Sequence, residues 1–310
     1  MNLDPKTTAF IFPGQGAQEV GMGADAYAGS PAARAVLDEA DAVLGIPLSR
    51  IILEGPANEL VRSHNAQPAI LTVSIALLRA MEERLGEGMP EPSFVAGHSL
   101  GEFSALVAAD ALEFAEALRL VRRRGELMQA AAEATPSGMA ALIGMKLAAA
   151  MAACDGTGAQ VANANSEEQI VIAGPTAALN KAIERAKAAG ARRALPLEVA
   201  GAFHTEVMRP AQVAMNAEFA NAAIGDPKVP VVGNTTGKPL TTAEEIRAEL
   251  ADQLCGCVYW QQSVEYMGAN GVRRFVEIGP GKVLTGLARR IVTEAQAVSV
   301  GNLDAIGALT

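Results

Sequence analysis

A serine between two glycines is the first feature of this 310-residue chain that could do chemistry. Ser99 lies in the stretch VAGHSLGEFSAL, two residues after Gly97 and two before Gly101. The pattern Gly-x-Ser-x-Gly is typical of the sharp strand-to-helix turn of serine acyl-transfer enzymes, in which bulkier neighbours would collide. Such a turn exposes the hydroxyl at a helix N-terminus, where free N–H groups stabilise developing negative charge. The alternative is a serine N-cap whose glycines serve only helix packing.

A serine nucleophile needs a general base, and the chain has three histidines, His64, His98 and His204. His98 adjoins Ser99 in an extended segment, so its side chain should point to the opposite side and brace the turn. His64 precedes a polar loop and a helix, which is compatible with a solvated side chain. His204 follows a Gly-Ala-Phe turn into a new helix, and elimination makes it the best candidate for the base.

An arginine on the helix expected over residues 112–134 could bind a carboxylate. At about 100° per residue, Arg122 and Arg123 face away from the apolar stripe and Arg124 falls on its flank. The stripe consists of Phe114, Ala117, Leu118, Val121, Gly125, Met128 and Ala132. Because an unpaired buried guanidinium is very costly, Arg124 needs an anion. That anion is either a protein carboxylate in a buried salt bridge or a substrate carboxylate held by the planar guanidinium.

Short apolar strands alternate with longer helical segments along the flanks of the chain, which predicts an α/β fold with a mostly parallel sheet. Three strands end in Gly-rich turns, in TAFIFPGQG, in PSFVAGHS (residues 94–96) and in RRFVEIGPGKVL (residues 275–278). Sites of open α/β sheets form at such strand ends. The expected large domain is α/β-hydrolase-like and comprises residues 1–134 and 199–310.

The middle of the chain has a different pattern. Residues 135–198 are expected to form strand, helix, hairpin, helix and strand in that order. This order is that of a ferredoxin-like module. We therefore expect a small ferredoxin-like domain at 135–198, inserted in the larger one.

Composition limits the partners and the compartment. Half of the residues are hydrophobic, the net charge is −9 and the pI is about 5.0, which argues against binding to nucleic acid or an anionic membrane. Cys154, Cys255 and Cys257 form no paired framework and no zinc-binding spacing. Neither a signal peptide nor an apolar run of roughly 18 residues occurs. We expect a soluble, reduced, cytoplasmic protein.

Eight segments, in order along nearly the whole chain, resemble the malonyl-CoA:acyl-carrier-protein transacylase family. They are FPGQGAQ (Phe12 to Gln18), NAQPAILTVSIAL (Asn65 to Leu77), GHSLGEFSAL (Gly97 to Leu106), RRRGELMQ (Arg122 to Gln129), NANSEEQIVIAG (Asn163 to Gly174), GAFHTEVM (Gly201 to Met208), WQQSVEYM (Trp260 to Met267) and FVEIGPGKVLTGL (Phe275 to Leu287). Some are loose patterns individually, but the ordered set is specific.

The resemblance implies a role for each matching residue. Ser99 would accept the acyl group, His204 would be its base and Arg124 would bind the malonyl carboxylate. Backbone N–H groups of Gln15 and Leu100 would form the oxyanion hole, and Leu100 directly follows the nucleophile, where one donor must lie. The remaining substrate-binding residues implied by the motifs are Phe203, Asn163 and Gln67.

The family resemblance also implies a Ser-His dyad in which a backbone carbonyl, not an aspartate, orients His204. That carbonyl comes from the segment before the Trp-x-x-Ser-Val stretch, where this chain departs from relatives by having Tyr259 before Trp260. If only the carbonyl of residue 259 is used, a tyrosine is acceptable there. Phe203 resembles the malonyl-selecting form, so methylmalonyl should be used poorly.

The implied reaction is ping-pong transfer of malonyl from malonyl-CoA to acyl carrier protein, in fatty-acid biosynthesis, without a metal or cofactor. The enzyme is expected to be a monomer. Its acidic carrier would dock on a local basic patch, with four arginine pairs as candidates: 122–123, 192–193, 273–274 and 289–290.

Three alternatives remain open. A plain serine thioesterase has the same turn but no use for an inward arginine. An extender-unit acyltransferase of a polyketide pathway is a second possibility, although a start close to the first strand favours a free-standing protein. A non-catalytic carrier-binding scaffold is the third.

Overall fold

The computed structural model describes residues 4–309. The strands in this range are β1 (Thr8–Phe12), β2 (Phe94–Gly97), β3 (Ser137–Ile143), β4 (Gln160–Ser166), β5 (Gln169–Pro175), β6 (Arg193–Pro196), β7 (Val231–Val232), β8 (Pro239–Leu240), β9 (Arg274–Ile278) and β10 (Gln296–Val300). The α-helices are α1 (Ala24–Gly29), α2 (Pro31–Leu44), α3 (Leu48–Glu54), α4 (Ala57–Leu60), α5 (Ser63–Leu85), α6 (Gly101–Ala108), α7 (Phe114–Ala134), α8 (Leu147–Cys154), α9 (Thr176–Ala188), α10 (Arg209–Asn221), α11 (Ala243–Gln253), α12 (Trp260–Ala269), α13 (Val283–Ile291) and α14 (Leu303–Gly307).

The larger sheet confirms the expected α/β class. Its strand order is β10-β9-β1-β2-β7-β8, and every pair is parallel except β7 with β8. All five residues of β1 are buried, as expected for a central strand covered on both faces. The strands predicted around residues 94–96 and 275–278 are β2 and β9. Their carboxyl ends lie beside that of β1, so the three Gly-rich turns meet at one edge of the sheet.

The middle of the chain forms a separate antiparallel sheet with strand order β4-β5-β3-β6. The order of elements is β3, α8, β4, β5, α9 and β6, which is the ferredoxin-like arrangement. Helices α8 and α9 pack on this sheet in an apolar cluster of their own. This second core is the physical basis for a small domain, whose division at residues 135 and 198 stays a prediction.

Helix α7 begins at Phe114, two residues later than the sequence pattern indicates, and its apolar stripe is buried as expected. It packs closely against α5 at Gly125, where an added Cβ would lie 2.5 Å from the carbonyl oxygen of Ser63. This close contact brings Arg124, the preceding residue, next to α5. No helix between residues 4 and 309 is long and apolar enough to cross a bilayer.

Candidate active site

The turn between β2 and α6 holds Ser99 in a strained backbone conformation. Ser99 has a φ of 52°, in the left-handed region that L-residues other than Gly, Asn and Asp rarely adopt. A Cβ on Gly97 would lie 1.8 Å from the carbonyl carbon of Gly101, and one on Gly101 would lie 2.1 Å from the carbonyl oxygen of Phe12. Both glycines are therefore required by backbone contacts, as the Gly-x-Ser-x-Gly pattern predicts.

His204 lies against this serine. Its Nε2 is 2.7 Å from Oγ of Ser99, and its Nδ1 is 2.9 Å from the backbone carbonyl oxygen of Gln253. Since a carbonyl only accepts, Nδ1 carries the hydrogen and Nε2 of the neutral ring is free to accept the serine proton. Burial, assisted by the charge of Arg124, lowers the pKa of His204 to about 3. The imidazole is thus neutral and able to act as a base at physiological pH.

The other two histidines lie away from the nucleophile's hydroxyl. The ring of His98 points to the opposite side, with Nε2 2.8 Å from Oδ1 of Asn165 in β4 and its centroid 5.6 Å from that of Trp260. His64 does not precede the helix but lies within the first turn of α5, partly exposed. Of the three histidines, His204 is the one whose ring nitrogen contacts Oγ of Ser99.

Arg124 is buried, with 1% of its surface exposed, and its guanidinium is directed at the serine. Nη2 lies 3.2 Å from Oγ of Ser99 and 3.0 Å from Oε1 of Gln253, while Nη1 lies 2.7 Å from Oε1 of Gln67. Burial lowers the pKa of Arg124 to about 10, so the group stays charged at neutral pH.

The partners of this guanidinium decide between the two explanations of an inward arginine. Within residues 4–309 Arg124 forms no ion pair, and its Nε has no hydrogen-bond partner. Neutral amide oxygens hold the group in place without neutralising it. A protein salt bridge is excluded in this region, and a cation beside the nucleophile remains available to an anionic ligand.

Of the two backbone amides expected to form an oxyanion hole, one belongs to the serine turn and the other to the loop after β1. Leu100 precedes the first residue of α6, and Gln15 lies in the turn after β1. Neither N–H donates to another group in the described part of the chain. An added Cβ on Gly14 would lie 2.3 Å from the carbonyl oxygen of His98, so this glycine lets the loop of Gln15 approach the serine turn.

The remaining expected substrate residues lie in different elements of the structure. Gln67 is fully buried in α5 and bonds the guanidinium of Arg124. Phe203 is buried directly before His204. Asn163 lies in β4, in a parallel bridge with Val258, and is separated by one residue from the Asn165 that bonds His98.

A backbone carbonyl from the segment before Trp260 orients His204, but it is not that of residue 259. The carbonyl of Tyr259 accepts from the backbone N and the Oγ of Ser263, in the first turn of α12, and is not bonded to His204. The carbonyl that orients the base belongs to Gln253, at the C-terminus of α11. The departure at Tyr259 therefore does not touch the catalytic base.

Three buried residues of the site were missed by the sequence reasoning: Glu102, Asn234 and Gln253. Asn234 accepts from the backbone N of Ser99 at 2.7 Å, and Gln253 donates to the carbonyl of Ser99 at 3.1 Å. Only Glu102 left a signal, as an acidic residue in the otherwise apolar helix GEFSALVA. Asn234 and Gln253 are more than 130 residues away in sequence, and their spacing carries no pattern.

Comparison with known proteins places the chain among acyltransferases. The model of the acyl transferase domain family matches residues 9–306. The malonyl CoA-acyl carrier protein transacylase of Bacillus subtilis (strain 168) is 44% identical over 303 residues, covering 96% of this chain and 94% of that protein. An acyl carrier protein S-malonyltransferase from Vibrio cholerae O1 biovar eltor is 39% identical, with a TM-score of 0.94 over 98% of this chain and 100% of its own. A malonyl-transacylase solved in complex with its type II polyketide acyl-carrier protein has a TM-score of 0.93 and 39% identity, over 98% of each chain.

Proposed function

The chain belongs to the malonyl-CoA:acyl-carrier-protein transacylase family, and we propose that Ser99, His204 and Arg124 carry out its reaction. The enzyme transfers the malonyl group of malonyl-CoA to acyl carrier protein in fatty-acid biosynthesis. The observation that carries the residue assignment is the buried, unpaired guanidinium of Arg124, 3.2 Å from the hydroxyl of Ser99.

In the first half-reaction the serine is acylated. His204 accepts the hydroxyl proton at Nε2 as Oγ of Ser99 attacks the thioester carbonyl of malonyl-CoA. The N–H groups of Gln15 and Leu100 donate to the oxyanion of the tetrahedral intermediate. The C–S bond then breaks, and His204 returns the proton to the departing thiolate of coenzyme A.

The second half-reaction uses the same groups in reverse. His204 accepts the proton of the phosphopantetheine thiol, and the sulfur attacks the ester carbonyl of malonyl-Ser99. As the C–O bond breaks, His204 reprotonates Oγ of the serine. Because the donor must leave before the acceptor enters, the kinetics are ping-pong.

Arg124 supplies selectivity for a carboxylated acyl group. Its guanidinium can pair two N–H groups with the two oxygens of the malonyl carboxylate. A simple thioesterase shares the Ser-His contact but has no use for a buried cation one short acyl length from the nucleophile. Phe203, buried beside the base, favours malonyl over the branched methylmalonyl group.

Carrier docking would use basic side chains that are not already paired. Arg122 and Arg123 pair with Glu126, and Arg192 pairs with Glu168. Arg193 and Arg290 are exposed and form no ion pair within residues 4–309, so they suit an acidic carrier best. We also propose that the enzyme works as a monomer in the cytoplasm, where its three free cysteines stay reduced.

Intact-mass analysis tests this function. The protein is incubated separately with malonyl-, methylmalonyl- and acetyl-CoA and then with holo acyl carrier protein. We expect one malonyl group per chain that the carrier removes, and weak labelling by the other two donors. No adduct with malonyl-CoA, or an adduct lost to water as fast as to the carrier, would contradict the assignment; the second result would identify a thioesterase.

A further inference from the structure

We propose that Glu102 is a positioning residue that orients Arg124 through the side-chain amide of Gln253, and so sets the preference for a carboxylated acyl group. The inference rests on the function proposed above and deepens it. Glu102 does not touch Oγ of Ser99 and would not contact the acyl group. Its role would be to fix which atoms of Gln253 face the substrate-binding arginine.

The contacts of Glu102 are all with hydrogen-bond donors. The side chain is fully buried at the start of α6. Oε1 accepts from the backbone N and from Nδ2 of Asn234, both at 2.9 Å, and Oε2 accepts from Nε2 of Gln253. Burial raises the pKa of Glu102 well above its ordinary value, and these converging N–H groups oppose that shift by stabilising the carboxylate form.

Gln253 connects this carboxylate to the arginine. Nε2 of Gln253 donates both to Glu102 and to the carbonyl of Ser99, which can only accept. Oε1 must therefore face the other way, where it accepts from Nη2 of Arg124 at 3.0 Å. Because an amide has its donor and acceptor on opposite branches, fixing one branch against Glu102 fixes the other against the guanidinium.

The side-chain amide of Asn234 also connects Glu102 to the serine turn by hydrogen bonds. Its Oδ1 accepts from the N–H of Ser99 at 2.7 Å, and its Nδ2 donates to the carbonyl of Gly97 as well as to Glu102. The amides of Asn234 and Gln253 thus bond both backbone polar groups of Ser99. These bonds help to hold the left-handed backbone conformation of the nucleophile.

The arrangement also explains how a buried arginine remains available. A direct ion pair would occupy the N–H groups that the substrate carboxylate needs. Here the acid is one amide removed, since Gln253 lies between Glu102 and Arg124. Gln67 and Gln253 accept from Nη1 and Nη2, and Nε has no partner in the described part of the chain, so this N–H is the donor left for a ligand.

The decisive variant is Glu102→Gln, which keeps the shape but turns one oxygen into a donor. If the new amide keeps its oxygen toward Asn234, its nitrogen faces the donating nitrogen of Gln253. Relief of that conflict by rotating Gln253 would point N–H groups at Arg124. We expect kcat/KM for serine acylation by malonyl-CoA to fall about 10-fold or more, with a much smaller loss for acetyl-CoA.

If Glu102 had a merely structural role, Glu102→Gln would lower kcat/KM for acylation by malonyl-CoA and by acetyl-CoA in proportion. The matched control is Glu277→Gln, because Glu277 is equally buried but accepts from the backbone N–H groups of Leu284 and Thr285, away from Arg124 and Gln253. This control should keep the wild-type ratio of kcat/KM for malonyl-CoA to kcat/KM for acetyl-CoA. In an Arg124→Met background, Glu102→Gln should not change the ratio further, since the arginine through which it acts is gone.

Should Glu102→Gln fail to fold, as judged by its thermal melt, Gln253→Leu decides instead. It removes the connecting amide but keeps the backbone carbonyl that orients His204, and the same loss of malonyl preference is expected. An unchanged ratio in a folded Glu102→Gln protein, or failing that in Gln253→Leu, would overturn the inference. Absence of the malonyl adduct in the wild type would instead overturn the proposed function, so the two failures are distinguishable.

Discussion

The backbone carbonyl oxygen of Gln253 lies 2.9 Å from Nδ1 of His204, on the far side of the ring from Ser99. In a Ser-His-Asp triad this position is taken by a carboxylate, which stabilises the imidazolium that forms during catalysis. A carbonyl fixes the same tautomer but carries no negative charge. The neighbouring cation is Arg124, so the surroundings of His204 disfavour its protonated form.

Serine acylation should be insensitive to pH over the range in which an ordinary histidine is protonated. Because burial and Arg124 lower the pKa of His204 to about 3, the base stays neutral as pH falls and is lost only when pH passes through that low value. We expect kcat/KM for serine acylation to show no acidic limb between about pH 8 and pH 5, the range in which an ordinary histidine titrates. Rapid-quench mass spectrometry measures this rate, and a limb near pH 6.5 would contradict it.

Removing the nucleophile should abolish the adduct. In Ser99→Ala no malonyl group should be detected by intact mass, because the oxygen that forms the ester is gone. Ser104→Ala is a suitable control, since the Ser104 hydroxyl is buried in α6 without a hydrogen-bond partner in the described structure. It should be labelled like the wild type; labelling of Ser99→Ala would place the acyl group elsewhere.

Removing the cation should change selectivity more than catalysis. Arg124→Met should lower kcat/KM for malonyl-CoA by about 10- to 100-fold, the value of a buried charge-assisted interaction, and raise the relative use of acetyl-CoA. Arg123→Ala removes only exposed ion pairs with Glu126 and Glu218. It should change neither kcat/KM for malonyl-CoA nor the relative use of acetyl-CoA. Equal losses for the two donors in Arg124→Met would make that arginine structural.

Gly97 should tolerate no side chain. A Cβ there would lie 1.8 Å from the carbonyl carbon of Gly101, and backbone cannot move as a flexible side chain can. We expect Gly97→Ala to lose about 3 kcal/mol or more of unfolding free energy by urea denaturation. Gly286→Ala, in α13 with open space around the added methyl, should instead gain about 0.5 to 1 kcal/mol. A neutral Gly97→Ala would refute the steric account of the turn.

A residue of this site can be predicted from the sequence when a short stretch of the chain contains the pattern that marks it. Ser99 and its glycines are one short motif, and Arg124 follows from the period of a single helix. His204 required elimination among three histidines. Gln253 could not be found in this way, since its contact with His204 uses a backbone carbonyl that any residue possesses. The same reason left the position of that carbonyl open within the segment before Trp260.

The strands of the larger sheet likewise divide into those with a local sequence signal and those without one. Strands β1, β2 and β9 were predictable because each is a short apolar run that stops at a Gly-rich turn. Strands β7 and β8 are two residues each and left no readable pattern. The position of β7 beside β2, and of β8 beside β7, depends on tertiary pairing, which places Asn234 next to the serine turn.

The two edge strands of the smaller sheet, β4 and β6, differ in the contacts that they make with the rest of the protein. Backbone bonds of Val258 and the contact between Asn165 and His98 fasten β4, whereas β6 pairs only with β3 and exposes Leu195. Any swing of this sheet would therefore pivot on β4, with β6 travelling furthest. Seven residues connect the end of β6 to His204, so a swing of β6 would reach the catalytic base through this short segment. Deuterium uptake should accordingly be faster in β6 than in β4, and equal uptake would argue against a pivot there.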